Sequence, residues 1–121
     1  MANILFVDDD PYTLLTLTKA VKVLGHQAMA ASTGQEALAL AAEQVPDLIF
    51  TDMRLSNIEG TTLVHQLKEQ EATAHIPVFI LSASPSEDVV ARAEAAGAVA
   101  YLDKPIRLQT LLDIIEEYTS G

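Results

Sequence analysis

Apolar residues follow two alternating patterns along this chain, and each pattern indicates one kind of secondary structure. Short, continuous apolar runs are typical of strands that are buried on both faces of a sheet. They predict five strands, at Asn3–Val7, Gln27–Ala31, Asp47–Thr51, Pro77–Ser82 and Ala98–Leu102. Between and after these runs, apolar residues recur at helical spacing and predict five helices. The predicted helices lie at Pro11–Leu24, about Gly34–Gln44, about Gly60–Glu71, about Pro85–Ala96 and about Leu108–Tyr118.

Residues at the predicted helix starts support these boundaries. Asp10 stands before Pro11, and proline is favoured at the first position of a helix, so the Asp10 carboxylate is predicted to cap the first helix. Thr33 and Glu36 have the spacing of a capping box at the start of the second helix. Ser84 is the predicted N-cap of the fourth helix, because a proline follows it.

The alternation of strands and helices predicts the class of fold. Five strands alternating with five helices imply an α/β, doubly wound parallel sheet with right-handed crossovers and helices on both faces. The length of 121 residues fits one domain, residues 1–121, without a linker or an internal repeat. In such sheets, ligands bind at the carboxyl ends of the strands. Polar residues that end the predicted strands are therefore candidate site residues, namely Asp8, Asp9, Asp52, Ser82 and Lys104.

Composition and charge narrow the class of partner. The formal net charge of −10 opposes direct binding to nucleic acid or to an anionic membrane, because both require a basic surface. It permits cations and basic protein surfaces as partners. No window of the sequence is long and apolar enough to cross a bilayer, and the N-terminus lacks the pattern of a signal peptide. These features and the absence of cysteine fit a cytoplasmic protein.

Three of the candidate site residues are aspartates. If the first and third strands are neighbours, Asp8, Asp9 and Asp52 converge at one edge of the sheet. Two unit charges about 4 Å apart repel by roughly 4 kcal/mol at an effective dielectric constant of about 20, so such a cluster must bind protons or a cation. Mg²⁺ suits it, because this ion prefers oxygen ligands and is commonly completed by phosphate oxygens. The alternative is that Asp8 or Asp9 only solvates a loop. Lys104 supplies a counter-charge that suits a phosphate or a carboxylate.

Four ordered motifs carry a family resemblance. The segments "ILFVDDDP", "DLIFTDMRL", "VFILSAS" and "GAVAYLDKPI" resemble, in order and spacing, the receiver domain of two-component response regulators. The likeness covers essentially the whole chain, and the ordered set is far more specific than any one motif. It implies the flavodoxin-like strand order 2-1-3-4-5, of which the chemotaxis regulator of that family is a known example.

The resemblance implies a role for each residue of the cluster. Asp52 would accept a phosphoryl group from a histidine kinase or a histidine phosphotransfer protein, since a carboxylate is a competent nucleophile. The ligands of Mg²⁺, or of Mn²⁺ in its place, would be Asp8, Asp9, Asp52 and the backbone carbonyl of Arg54. Lys104 and the metal ion would offset the charge of the transferring group.

Other residues would transmit or tune the signal. Ser82 would donate a hydrogen bond to the new phosphoryl oxygen and draw its loop inward. Tyr101 would be the switch aromatic of the family, the ring that turns inward when this loop moves. The alternative for Tyr101 is an ordinary, half-buried strand tyrosine. Arg54 and Ser84 occupy positions at which family members vary and at which phosphoryl lifetime is tuned. Ser56 stands where the family often has a proline.

The resemblance also implies partners. The fourth helix, the fifth strand and the fifth helix would form the face that contacts an output domain or effector protein, and this face could pair two copies of the phosphorylated chain. The protein would act in a phosphorelay as a switch rather than as an enzyme, apart from reacting with small phosphodonors and losing its own phosphoryl group. The sequence does not indicate the cognate kinase, the output, the phosphoryl lifetime, the oligomeric state or whether the chain is free-standing.

Two other functions are compatible with parts of the sequence. The segment "FVDDDPYTL" superficially resembles the motif of haloacid-dehalogenase-type phosphatases, with Asp8 as the nucleophile and Asp10 as the acid and base. Those enzymes usually have glycine and threonine after the second aspartate, where this chain has Pro11 and Tyr12. The second alternative is an interaction module that keeps the fold but signals without phosphate. The complete set of acidic residues together with Lys104 argues against it.

Overall fold

The predicted class of fold is confirmed. The computed structural model describes residues 2–55, 58–83 and 87–119, and of residues 87–89 only the backbone. The strands are β1 (Asn3–Val7), β2 (Gln27–Ala31), β3 (Leu48–Asp52), β4 (Val78–Ser82) and β5 (Ala100–Asp103). The helices are α1 (Pro11–Val23), α2 (Gly34–Gln44), α3 (Gly60–Glu69), α4 (Glu87–Ala96) and α5 (Leu108–Thr119). The strands form a parallel sheet in the expected order, β2-β1-β3-β4-β5.

The sheet separates two apolar cores, because successive side chains of a strand point to opposite faces. Leu5 and Ile49 lie in the core that packs under α2, α3 and α4. The next residues along the same strands, Phe6 and Phe50, lie with Phe79 in the core under α1 and α5. Both faces of β1, β3 and β4 are therefore buried, which explains why their sequences are continuously apolar.

A row of aromatic rings crosses the second core. Phe6 stacks on Phe50 with ring centroids 5.6 Å apart, and Phe50 stacks on Phe79 at 5.2 Å. These three residues are register partners in adjacent strands. Tyr118 of α5 meets Phe79 edge-on at 5.3 Å. Since such pairs contribute about 0.5–1.5 kcal/mol each beyond their buried area, the row holds three strands and the end of α5 together.

The register of the sheet places the candidate residues at one edge. In the pairing of β1 with β3, Val7 lies beside Thr51, so the residues that follow them are two of the predicted aspartates. In the pairing of β4 with β5, Ser82 lies beside the residue that precedes Lys104. All of these positions are at the carboxyl ends of parallel strands, as the sequence predicted.

Both bounds of β3 and the end of α3 differ from the prediction, and β3 begins at Leu48 rather than Asp47. β3 runs one residue further than predicted, because its pairing with β4 includes Asp52. α3 ends at Glu69 rather than Glu71, because the backbone N–H groups of Thr73 and Ala74 donate to the carbonyl of Gln70 at 3.1 and 2.8 Å and form a turn. No helix in the described ranges is both long and apolar enough to span a membrane.

Other boundaries also differ by one or two residues, among them the end of β5 at Asp103 rather than Leu102 and the end of α5 at Thr119 rather than Tyr118. β5 begins at Ala100 rather than Ala98, because the N–H of Ala98 donates to the carbonyl of Ala93 at 3.1 Å and closes the end of α4. α1 ends one residue earlier than predicted, with Leu24 as its C-cap. β4 begins after Pro77, which has no N–H group to donate.

The predicted cap of α1 is confirmed. Asp10 has an extended backbone, and its Oδ1 accepts a hydrogen bond from the N–H of Tyr12 at 3.1 Å. Its Oδ2 accepts a hydrogen bond from the hydroxyl of Thr13 at 2.8 Å. These two hydrogen bonds, that of Thr13 first, lower the pKa of Asp10 below its ordinary value.

The predicted cap of α2 is also present. The hydroxyl of Thr33 accepts a hydrogen bond from the N–H of Glu36 at 3.1 Å. The carboxylate of Glu36 reaches back to the N–H of Ser32 at 3.1 Å, one residue earlier than in the standard capping box. The predictions for Ser56 and Ser84 lie outside the described residues.

Gly60, the first residue of α3, lies directly against the end of β3. A Cβ atom at this position would be 2.4 Å from the backbone oxygen of Asp52 and 3.1 Å from the Cα of Met53. The N–H of Gly60 donates to the carbonyl of Met53 at 2.6 Å. The absence of a side chain therefore allows α3 to begin against the backbone that carries Asp52. Gly34 is also the first residue of its helix, but a Cβ there would meet only the side chain of Ile58.

We expect Gly60→Ala to destabilise the protein by about 1–3 kcal/mol, the usual cost of overpacking, because rigid backbone atoms block the new methyl group. Gly34→Ala is the matched control, because both glycines begin a helix and both changes alter helix propensity alike. It should cost less, since the end of the Ile58 side chain can rotate away. Urea unfolding of the two variants measures the difference. Equal losses, or a larger loss for Gly34→Ala, would contradict this account.

Candidate functional site

Three aspartates converge at the carboxyl edge of the sheet. Asp8 follows β1 and is only 3% exposed, Asp52 ends β3 and is partly buried, and Asp9 is exposed. One carboxylate oxygen from each lies within 4.8 Å of the other two. In the described part of the chain this is the one group of three or more acidic or histidine side chains close enough to share a metal ion. The predicted convergence of the three carboxylates is thus present.

Lys104 brings the opposite charge to this edge from the loop after β5. Its Nζ donates a hydrogen bond to Oδ2 of Asp8 at 2.6 Å and lies 3.4 Å from Oδ2 of Asp52. The backbone N–H of Lys104 donates to the carbonyl of Ser82 at 2.9 Å, which fixes the start of this loop to the end of β4. The ammonium group therefore lies between two carboxylates at the carboxyl ends of two different strands.

The charges of the cluster are unbalanced. Burial raises the pKa of Asp52 above its ordinary value, and the neighbouring charge of Asp8 raises it further, while Lys104 acts in the opposite direction. Burial alone would lower the pKa of Lys104, but the hydrogen bond to Asp8 and the charges of both aspartates raise it overall. The lysine thus stays protonated, and one ammonium group faces three carboxylates. This imbalance favours the binding of a further cation.

The donor atoms fit a hard divalent cation. Carboxylate oxygens are the ligands that Mg²⁺ prefers, and the exposed side of Asp9 leaves room for bound water. Oδ1 of Asp8 accepts a hydrogen bond from the N–H of Asp10 at 2.9 Å, so one oxygen of this buried carboxylate is held in place by backbone. Arg54 lies in the loop two residues after Asp52, and a backbone hydrogen bond from Arg54 acts to lower the pKa of that aspartate.

Ser82 and Tyr101 are joined at the neighbouring strand ends. Ser82 is the last residue of β4 and is partly buried. The hydroxyl of Tyr101, from β5, donates a hydrogen bond to the backbone oxygen of Ser82 at 3.3 Å. Tyr101 also packs against the core under α2, α3 and α4. The phenol of Tyr101 is therefore turned toward β4. The position predicted to tune phosphoryl lifetime at Ser84 lies outside the described residues.

A cavity of about 460 Å³ opens beside the cluster, between α1 and the loop after β5. Its walls are largely apolar, and Lys104 is the charged side chain among them. The lining residues are Tyr12, Thr13, Thr16, Leu17, Leu81, Ala83, Lys104, Pro105 and Ile106. Lys104 thus has apolar neighbours along one side while its ammonium group contacts the aspartates.

Sequence reasoning did not identify all the ion pairs, and the pair of His65 with Glu69 within α3 is one that it missed. It predicted Lys104 as a counter-charge of the cluster but did not indicate that Asp8 would be its nearest partner. It also missed the pair between Glu59, which precedes α3, and Arg92 of α4. A glutamate at the predicted start of a helix is an unfavoured N-cap, and this was the one signal available for the pair of Glu59 with Arg92.

Comparisons with known proteins indicate one family. The family model of the response regulator receiver domain matches residues 4–116. The chain is 34% identical to protein PilH of Pseudomonas aeruginosa over 121 residues, which cover 100% of both chains. The structure is similar to that of chemotaxis protein CheY4 of Vibrio cholerae, with a TM-score of 0.91, 27% identity and 98% of each chain covered.

A further structural relative is the receiver domain of sensor histidine kinase PA1611 from Pseudomonas aeruginosa. Its TM-score is 0.89 and its identity 25%, with 99% of this chain and 98% of that chain covered, and that structure has a magnesium ion coordinated in its active-site cleft. The family model covers nearly the whole chain, and PilH matches it from end to end. This chain therefore belongs to the response regulator receiver domain family of two-component signalling.

Proposed function

We propose that this chain, residues 1–121, is one receiver domain in which Asp52 accepts a phosphoryl group from a histidine kinase or a histidine phosphotransfer protein. The observation that carries the proposal is the cluster itself. Asp8, Asp9 and Asp52 come within 4.8 Å of one another, and Lys104 contacts two of them. A fold that brings together mutually repelling carboxylates and a lysine at the ligand-binding edge of its sheet is suited to bind a metal ion and a phosphate group.

The metal ligands in this proposal are Asp8, Asp9, Asp52 and the backbone carbonyl of Arg54. When bound, Mg²⁺ or Mn²⁺ would supply positive charge against the oxygens of the incoming phosphoryl group. Oδ1 of the buried Asp8 carboxylate accepts a hydrogen bond from the N–H of Asp10, so this ligand is held in place before a metal ion binds.

The proposed reaction needs Asp52 as a carboxylate. One of its oxygens attacks the phosphorus atom of a phosphohistidine, the O–P bond forms as the P–N bond breaks, and the imidazole leaves with the electron pair and takes a proton from water. The raised pKa of Asp52 works against the ionised form, so the ammonium group of Lys104 supports the reaction by favouring the carboxylate. Lys104 also offsets negative charge on the transferring group.

The response to phosphorylation is proposed to pass through Ser82 and Tyr101. The Ser82 hydroxyl would bond to a phosphoryl oxygen on Asp52, one strand away in the sheet. Because the Tyr101 hydroxyl donates a hydrogen bond to the backbone oxygen of Ser82, a movement of Ser82 would displace Tyr101 in β5. The proposed output face is α4, β5 and α5, which would contact an effector or output domain and could pair two phosphorylated copies.

The proposed setting is the cytoplasm, where a histidine kinase and its phosphorelay partners act. The chain would work as a switch, with chemistry limited to reacting with small phosphodonors and losing its own phosphoryl group.

The phosphatase alternative requires Asp10 as an acid and base. Both oxygens of Asp10 instead accept hydrogen bonds at the start of α1, and these bonds lower its pKa, which makes it a poor proton donor.

Incubation with acetyl phosphate and Mg²⁺ is expected to add one phosphoryl group to the wild type, observed by intact-mass spectrometry. Asp52→Ala should gain none, because the nucleophile is removed, and chelation of Mg²⁺ should suppress the gain in the wild type. Asp103→Asn is the control, since it removes an exposed carboxylate at the end of β5. A wild type that stays unmodified would support the module that signals without phosphate, whereas turnover of phosphate esters that needs Asp8 but not Asp52 would support the phosphatase.

Asp52→Asn is expected to raise the melting temperature at neutral pH without divalent cations. Burial raises the pKa of Asp52, so the native state binds more protons than the unfolded state between the two pKa values. Stability therefore falls as the pH rises through this window, and the uncharged amide of the variant avoids the loss. The advantage should shrink as the pH is lowered toward the ordinary pKa of aspartate, and it should be absent in Asp103→Asn. Thermal unfolding over a pH series measures it, and equal melting temperatures at neutral pH would contradict it.

Arg54→Asn is expected to shorten the lifetime of phosphorylated Asp52. The Arg54 side chain is exposed in the loop next to the acceptor, where its guanidinium group could cover the phosphoryl group and hinder attack by water. The decay of phosphoprotein after removal of the donor measures this lifetime. Lys19→Asn removes one positive charge from an exposed position of α1 and should decay like the wild type. Equal half-lives for Arg54→Asn and the wild type would refute the role of Arg54.

A further inference from the structure

Glu59 holds the N-cap position of α3 but does not cap this helix. Its backbone is extended, as an N-cap requires, yet its carboxylate makes no hydrogen bond to the N–H groups of the first turn. Serine, threonine, aspartate and asparagine are preferred at this position because their short side chains reach those groups. A residue that gives up a stabilising local interaction indicates that its side chain has another use.

The carboxylate of Glu59 instead reaches across to α4. Its Oε2 forms an ion pair with the guanidinium group of Arg92, and the Thr61 hydroxyl lies 3.4 Å from the same oxygen. The two paired side chains are 49% and 45% exposed, so the contact lies at the surface between α3 and α4. This pair joins two elements, whereas the pair of His65 with Glu69 lies within α3.

The backbone of Glu59 is joined to the loop that follows the acceptor. Arg54 and Glu59 form an isolated antiparallel bridge. Inside it, the N–H of Leu55 donates to the carbonyl of Ile58 at 3.1 Å, and beside it the N–H of Gly60 donates to the carbonyl of Met53 at 2.6 Å. Arg54, which follows β3, therefore lies on one side of this bridge, and Glu59, which precedes α3, lies on the other.

We propose that Arg92 is a positioning residue for the metal site. The ion pair with Arg92 holds Glu59, whose backbone forms the bridge with Arg54. Arg92 thereby orders the backbone carbonyl of Arg54 before a divalent cation binds. The inference rests on the proposed function, because it assumes that this carbonyl is a ligand. A loop that is ordered in advance loses less entropy when it binds a ligand, and this increases affinity. An exposed ion pair has a modest effect, up to about fivefold in a dissociation constant.

The test is the affinity for Mg²⁺ of the unphosphorylated protein, measured by amide chemical shifts during titration with MgCl₂ at constant ionic strength. Arg92→Gln and Glu59→Gln should each raise the dissociation constant about two- to fivefold. The double variant should bind Mg²⁺ with an affinity no lower than that of the single variant that binds it less tightly, because both changes break the same contact. Glu69→Gln is the control, since it breaks an exposed pair that does not reach the loop, and it should bind Mg²⁺ like the wild type.

Glu59→Asp separates positioning from stability. Aspartate is a good N-cap, so the variant should keep or raise the melting temperature. Its side chain is one methylene shorter and is drawn to the N–H groups of α3, so the contact with Arg92 should weaken and Mg²⁺ should bind less tightly. A residue with a purely structural role would move stability and affinity in the same direction.

Two results would overturn the inference and are distinguishable from failure of the proposed function. If the wild type binds Mg²⁺ but Arg92→Gln binds it equally well, Arg92 does not position the site, and the metal site itself stands. The same holds if Glu69→Gln loses as much affinity as Arg92→Gln. If the wild type shows no Mg²⁺-dependent shifts near Asp52, the metal site fails and the inference fails with it.

Discussion

Repulsion among carboxylates at one edge of the sheet is the constraint around which the rest of this structure is arranged. Asp8, Asp9 and Asp52 are brought together by the pairing of β1 with β3, and Lys104 faces them with a single positive charge. Burial raises the pKa of Asp52, so the ionised form of this aspartate is unfavourable for the fold. The apolar strands buried on both faces hold the cluster in place. The site thus keeps an excess of negative charge, and a bound cation stabilises it more than it would stabilise a neutral site.

The sequence predicted the fold and the members of the cluster for physical reasons that can be stated. Alternation of buried strands with amphipathic helices requires parallel pairing, and parallel pairing brings the carboxyl ends of all strands to one edge. Asp8, Asp52 and Lys104 each end an apolar run, so their convergence was predictable before any distance was known. The strand order itself came from the resemblance to receiver domains, because periodicity does not determine which strands are neighbours.

Contacts between side chains of distant segments could not be predicted in the same way. Lys104 lies 96 residues from Asp8, and its choice of this aspartate over Asp52 depends on a small difference between two distances, 2.6 and 3.4 Å. The pair of Glu59 with Arg92 depends on how α3 and α4 lie against each other, which no local pattern indicates. Boundaries were uncertain for a related reason. Asp52 belongs to β3 because of its partner in β4, and not because of its own propensity for strand.

The row of three phenylalanines and Tyr118 has a spectroscopic consequence. The chain contains no tryptophan and three tyrosines, so tyrosine dominates its absorbance near the usual protein band in the ultraviolet. Tyr118 is held edge-on against Phe79, in an asymmetric surrounding, whereas Tyr12 is 79% exposed. Near-ultraviolet circular dichroism therefore reports mainly on the ordered phenols. The signal of Tyr118 therefore reports the native packing of the end of α5, on the face of the sheet opposite the helices α2, α3 and α4.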